Sequence, residues 1–202
     1  MFELFAEKFG TPHEGTSASL VELALPPSAD LETFGKEVGF GVFRGGLFSV
    51  VSTREKIPDL SGWERVLRAN ARLFASTAFG VFFFTTTGEN VLVLETQYGS
   101  VVESNMGIGE VLNLYTDDAF RESELREPIF ERFENQIAPT SVLCPCPAIA
   151  LGGQWDIVQE MSLHEYLGFT AGLVMPLVVE DQRRIFREWQ ESQGKPKPPA
   201  SE

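Results

Sequence analysis

Two closely spaced runs, residues 79–87 and 91–96, limit what this chain can fold into. Both are dense in aromatic and β-branched residues, both are short, and both are bounded by turn formers. That is the pattern of strands buried on at least one face. The link Thr87-Gly88-Glu89-Asn90 supplies a glycine that takes positive φ without steric cost, and Tyr98-Gly99-Ser100 offers a second reversal. Residues 73–103 therefore predict an antiparallel meander. Most other segments read as helices available to cover it, which makes the expected fold class α+β.

Before the meander, Phe2, Phe5 and Phe9 recur at helical spacing, with Gly10 where a helix would stop. Residues 11–19 form a polar loop, and Pro26-Pro27 interrupts regular structure. Asp30 is a plausible N-cap for a helix over 31–38 that ends at Gly39. Residues 40–43 and 47–51 flank Arg44-Gly45-Gly46, a hairpin signal. A helix-plus-hairpin module over residues 1–60 is expected, followed by an α+β domain over 61–194 and a disordered tail over 195–202.

Within the second domain, Ser61 with Glu64 and Ser162 with Glu165 have the spacing of capping boxes. Trp63, Val66 and Leu67 share one face of the helix expected after Ser61. Ile108, Val111, Leu112 and Tyr115 recur at helical spacing. Asp117 and Asp118 open a helix carrying Phe120, Leu125, Ile129, Phe130 and Phe133, which Pro128 divides or kinks. Residues 144–153, apolar and punctuated by Pro and Gly, suggest a short strand entering a turn. Residues 182–193 read as an exposed terminal helix.

Charge bounds the partners. The chain of 202 residues has a net charge of −13, which repels nucleic acid and anionic membrane and steers basic proteins inward. Between Arg72 and Arg121 there is no Lys or Arg, while Glu89, Glu95, Glu103, Glu110, Asp117 and Asp118 fall in or beside the meander. These six are the candidate contacts for a basic protein partner. The 17 Phe, against 3 Tyr and 3 Trp, point to core packing more than to a stacking surface.

Other chemistry is thin. Cys144-x-Cys146 is a single pair with only His13 and His164 as imidazoles, short of the ligand set of a structural zinc site. His164 and Glu165 are adjacent on an expected helix and point about 100° apart, and no second His follows at zincin spacing. Residues 39–46 match neither G-x-G-x-x-G before a helix nor a phosphate loop ending in Lys-Ser/Thr. No catalytic residues, metal or cofactor are expected, and a binding protein is favoured over an enzyme. Met1-Phe2-Glu3 opens without a basic region or long apolar core, and no apolar run approaches ~18 residues. A soluble cytoplasmic protein with reduced thiols is expected.

Three segments, in order, resemble a known combination. Residues 2–10, the Leu25-Pro26 region and residues 38–50 (VGFGVFRGGLFSV) resemble the GAD-like domain. Residues 73–80 (LFASTAFG) and 147–153 (PAIALGG) resemble the domain that usually follows it, typical of type VI secretion immunity proteins, including those directed against DNase effectors. The resemblance implies that the chain binds and neutralises a cognate toxin in the cytoplasm by protein–protein inhibition. It implies no catalytic residues. A second reading, from another class, is a small-molecule-binding or regulatory domain whose apolar pocket is lined by Phe82, Phe84 and Val93.

Overall fold

The computed structural model describes residues 1–13, 28–50, 60, 62, 63, 66, 67, 70–86, 90–134, 136–138 and 140–177. The expected caps at Ser61 and Glu64, the turn at residues 87–89 and the terminal helix over 182–193 lie outside them, as does most of the helix expected after Ser61.

Six strands form one antiparallel sheet in sequence order: β1 (Gly41–Phe43), β2 (Phe48–Val50), β3 (Arg72–Thr77), β4 (Val81–Thr85), β5 (Val91–Glu95) and β6 (Ser100–Glu103). The expected hairpin supplies β1 and β2, joined by a 3-10 turn over Arg44–Gly46. β2 pairs with β3, Phe48 opposite Thr77 and Val50 opposite Ala75, so the hairpin continues the meander. A second, two-stranded sheet joins β7 (Ser141–Pro145) to β8 (Val158–Ser162). The helices are α1 (Glu3–Phe9), α2 (Ala29–Glu37), α3 (Ile108–Leu114), α4 (Asp118–Glu124), α5 (Glu127–Phe130) and α6 (Leu163–Leu173). This is an α+β fold, and among the described residues no helix is long and apolar enough to cross a membrane.

Both faces of the sheet are buried at β4 and β5, which explains why these strands read as continuous apolar runs. Val81, Phe83, Val91 and Val93 point into one core with Phe2, Phe5 and Phe9 of α1, Leu31 and Phe34 of α2, and Val111 and Leu112 of α3. Phe82, Phe84, Leu92 and Leu94 point into the other, with Trp63, Val142 of β7, and Tyr166, Leu167 and Ala171 of α6. Aromatic edge-to-face contacts tie the first core together: the Phe5 ring lies 5.1 Å from Phe34 and 5.3 Å from Phe43, and Phe83 lies 5.5 Å from Tyr115. Each fully buried Phe contributes roughly 1.5–3 kcal/mol. The proposed pocket set is divided by this arrangement, because Phe82 and Phe84 face one core and Val93 the other.

Several boundaries move for local reasons. The helix expected over 31–38 runs from Ala29, with Ser28 at the cap position. Asp30 does not cap it; its carboxylate accepts a 2.8 Å bond from the Gly109 backbone N–H and ties α2 to the start of α3. The run at 79–87 becomes a strand only from Val81, because Thr77 Oγ1 accepts from the Phe79 N–H and curls the chain first. Pro128 sits in the first turn of α5, where its missing N–H costs nothing, and separates α5 from α4. Ser162 caps α6 as expected, and Asp117, expected with Asp118 to open a helix, takes the cap position of α4; each accepts a backbone N–H bond.

Gly80 ends that curl. Its φ is +73°, and a β-carbon there would lie 2.7 Å from the Tyr166 hydroxyl and 2.8 Å from Thr96 Oγ1. Gly80→Ala is expected to destabilise the protein by about 2–4 kcal/mol, combining left-handed strain and overpacking. Gly152→Ala, with a left-handed backbone (φ +87°) and no atom within 4 Å of its β-carbon, carries the strain alone and costs about 1–2 kcal/mol. Urea denaturation of the two variants measures the difference; equal losses would show that the contact with Tyr166 and Thr96 is not tight.

Candidate functional site

The curl at Gly80 and the turn after β5 lie at the same end of the sheet. Thr96 donates from its backbone N–H (3.2 Å) and its hydroxyl (2.7 Å) to the Gly80 carbonyl, and Thr96 Oγ1 also hydrogen-bonds the buried Tyr166 hydroxyl. Burial raises the Tyr166 pKa, so the phenol stays protonated. This contact locks β4, β5 and α6 together. The next residues, Gln97 and Tyr98, are presented at the sheet end.

Around them is a shallow cleft lined by Phe79, Gly80, Glu95, Tyr98, Arg126 and Trp155, with Val81, Gln97 and Glu124 completing it. It encloses about 20 Å³, space for one water-sized group. Trp155 Nε1 donates to the Tyr98 hydroxyl at 3.1 Å and Arg126 Nη2 donates to the same oxygen at 3.2 Å. The Arg126 guanidinium also lies 4.0 Å over the Trp155 ring, an attraction of about 0.5–1 kcal/mol at an exposed site. Arg126 adopts a left-handed backbone, φ 47° and ψ 44°, between α4 and α5, which costs a non-glycine residue roughly 1–2 kcal/mol. The other face of the Trp155 assembly rests edge-on against Phe79, 5.7 Å between centroids.

Gln97 is the exceptional member. It is only 2 % exposed, yet neither its Nε2 nor its Oε1 meets a hydrogen-bond partner among the described residues. Its backbone carbonyl accepts from the Ala150 N–H at 3.0 Å. That bond brings in the segment 147–153, which closes on itself: a β-carbon at Gly153 would lie 1.7 Å from the Pro147 carbonyl oxygen. The two short segments read as motifs, 73–80 and 147–153, thus meet beside Gln97.

The six carboxylates singled out in the sequence do not form one surface. Glu89 lies outside the described residues. Glu95 pairs with Val81 and Ser100, and Glu103 with Leu92, so the two project from opposite faces of the sheet. Glu110 accepts from the Gly107 N–H at the start of α3, and Asp117 accepts from the Phe120 N–H at the start of α4. Asp118 is paired with Lys8 at 2.8 Å and Arg121 at 2.9 Å. Only Glu95 lines the cleft, joined there by Glu124. The negative charge beside the cleft is felt by buried Tyr115, whose pKa is raised by burial first and then by Glu124 and Glu95.

Other chemistry resolves into structure. Cys144 is buried, which together with the charge of Cys146 pushes its thiol up to about 11, and Cys146 is exposed. Glu165 accepts from the Ser162 hydroxyl at 2.7 Å in the cap of α6. Arg121 and Arg44 converge on Glu127, which Arg121 Nε reaches at 2.7 Å. Among the described residues no group of three or more His, Cys, Asp and Glu is placed to hold a metal ion. Sequence reasoning missed Gln97, Arg126 and Trp155. The available signal was compositional: Trp and Tyr are scarce here, and their polar tips favour surfaces with one wet side.

No protein-family model and no curated protein matches the chain. Among solved structures it is similar to the crystal structure of Atu4351 from Agrobacterium tumefaciens, with a TM-score of 0.58 and 12% identity, over 86% of this chain and 89% of that one. At that identity the likeness is one of fold.

The Lys8–Asp118 pair makes a pH prediction. The Lys8 hydrogen bond, then its charge, hold the Asp118 carboxyl below its ordinary value of 3.8. A lowered folded-state pKa stabilises the fold above the unfolded value and loses that contribution as pH falls through the folded one. In urea titrations, Asp118→Asn should leave a constant stability deficit above about pH 5 that closes as the pH drops below 3.8. A deficit unchanged down to about pH 2 would show that the carboxylate charge contributes nothing.

Proposed function

We propose that this protein is an immunity protein that binds a secreted basic toxin, a nuclease of the DNase class, in the cytoplasm and neutralises it by protein–protein contact, without catalysing a reaction. The observation that carries this reading is the preordered cluster of Tyr98, Arg126 and Trp155 at the sheet end. These three residue types are enriched among the few residues that dominate the binding free energy of protein interfaces. Here they are already fixed by mutual hydrogen bonds and stacking, so association loses little side-chain entropy. Tyr98 is 44 % exposed and available to a partner.

Two further points support it. Of the two segments resembling immunity-protein motifs, 73–80 lines this same cleft through Phe79 and Gly80, and 147–153 holds the Gln97 backbone beside it through the Ala150 N–H. A nuclease must also offer a cationic surface to phosphate, and a chain of net charge −13 attracts such a surface at long range. The small-molecule reading fares worse at this cleft: its ~20 Å³ is far below the roughly 300–1,000 Å³ of a metabolite pocket.

The test is protection. The chain is co-expressed with basic nuclease toxin domains of the DNase class, and cell survival and plasmid integrity are scored. Rescue by the native chain is expected, and Tyr98→Ala combined with Trp155→Ala should weaken toxin binding by roughly 30-fold or more, the loss of about 2 kcal/mol. Circular dichroism confirms that the variant is folded. Absence of binding to any such domain would refute the immunity reading; undiminished binding by the double variant would remove the cluster from it.

A further inference from the structure

Independently of that reading, we infer that the outward side of α6 is where two copies of this chain meet, helix against helix about a twofold axis. After the cap formed by Ser162 and Glu165, residues 166–177 carry no charged side chain. The inward side of α6 is accounted for, because Tyr166, Leu167, Thr170 and Ala171 are buried. The outward side, Gly168, Phe169, Gly172 and Leu173, is exposed and carries no polar side chain. A helix without a polar side is one that is covered all round. Phe169 is nevertheless 39 % exposed and Leu173 48 %, and among the described residues neither joins either core.

The relief of this surface selects its occupant. Residues four apart stack in rows along a helix, so Gly168 and Gly172 form a groove, and Phe169 and Leu173 form a ridge directly beside it. The monomer does not need the glycines: a β-carbon at either would meet no atom within 4 Å, and glycine weakens a helix interior relative to alanine. A ring or backbone arriving from outside does need them. A ridge and a groove of equal length, side by side, are self-complementary. A twofold rotation sets each ridge in the groove of the other copy, the isologous arrangement of a symmetric dimer, with the helices crossing at about −50° as rows of this spacing favour. Charge points the same way. Each copy carries a net charge of −13, so two copies repel where their surfaces are acidic, and an uncharged strip is where they can touch. A basic partner gains nothing there. Glu165, the one acidic side chain of α6, lies a turn before the glycines and is engaged with the Ser162 hydroxyl. Contact through one 11-residue helix per copy stays below the roughly 1,200 Å² of a stable interface, so the dimer is weak, with a Kd of roughly 10 µM or above.

Sedimentation equilibrium of the full chain, from about 1 µM to about 1 mM, reads the self-association. A reversible monomer–dimer equilibrium is expected. The variant carrying both Gly168→Ala and Gly172→Ala should weaken dimerisation by about tenfold or more. It should also raise the urea midpoint of the dilute monomer, because alanine favours the helix and meets nothing in the monomer. A merely structural role for the glycines would not produce that combination. Phe169→Glu, at an exposed position, should abolish the dimer by setting like charges against each other across the axis, with the circular dichroism of the monomer unchanged. A chain that stays monomeric throughout the range would overturn the proposal and leave the surface to a partner protein or to residues 178–202 of the same chain. A dimer that survives both variants would overturn it as well, by placing the contact elsewhere.

Discussion

The contact among Gly80, Thr96 and Tyr166 is the constraint on which the rest of the sheet end depends. Thr96 bonds the Gly80 carbonyl twice and the Tyr166 hydroxyl once, in a place with no room for a β-carbon at residue 80. A buried phenol needs a partner, and this one finds it on the turn that ends β5. The curl before β4, the turn after β5 and helix α6 are thereby fixed to one another. Gln97 and Tyr98 follow Thr96 directly, so their placement is a consequence of that clamp. Arg126 and Trp155 arrive from distant parts of the chain and lock onto the Tyr98 oxygen. The cleft is rigid because its parts belong to elements that are each anchored elsewhere.

Charge acts here at two ranges. The overall excess of acid is a long-range property, felt by any basic molecule in solution. At short range most of the carboxylates are occupied: Glu110 and Asp117 cap helices, Asp118 holds Lys8 and Arg121, and Glu127 holds Arg44 and Arg121. Such carboxylates stabilise the fold and have little capacity left for a partner. Glu95 and Glu124 line the cleft and accept only from neighbouring hydroxyls among the described residues, those of Ser100 and Ser123. On the proposed reading, specific recognition is concentrated at one end of the sheet, while the remaining charge steers.

Much of the fold was legible in the residues, and the reasons are local. Phe79 to Thr96 could be read as strands because aromatic and β-branched side chains suit a pleated surface. Ser162 could be read as a cap because a short oxygen-bearing side chain three residues from a free N–H has one favoured geometry. The relative facing of Glu95 and Glu103 could not be read. Side chains alternate along a strand, and the register across the turn between β5 and β6 sets Glu103 opposite Leu92, so the two glutamates part to opposite faces. A register one residue different would have put them together, and nothing in the charge pattern reports it. The cleft was hidden for a related reason: residues 97, 126 and 155 are brought together only by tertiary folding. β3 was blurred because its polar Arg72, Ser76 and Thr77 interrupt the apolar run, although Leu73, Phe74 and Ala75 are buried.

The central claim is that the sheet end, and not the acidic surface at large, meets the partner protein. Backbone hydrogen exchange of the chain, measured with and without a nuclease domain found to bind it in the co-expression assay, tests this most directly. Added protection should concentrate at residues 95–99, 124–126 and 150–157, with α1 and α2 unchanged. Protection confined to α1, α2 or the β1–β2 hairpin, with the Tyr98 turn exchanging at its free rate, would contradict it.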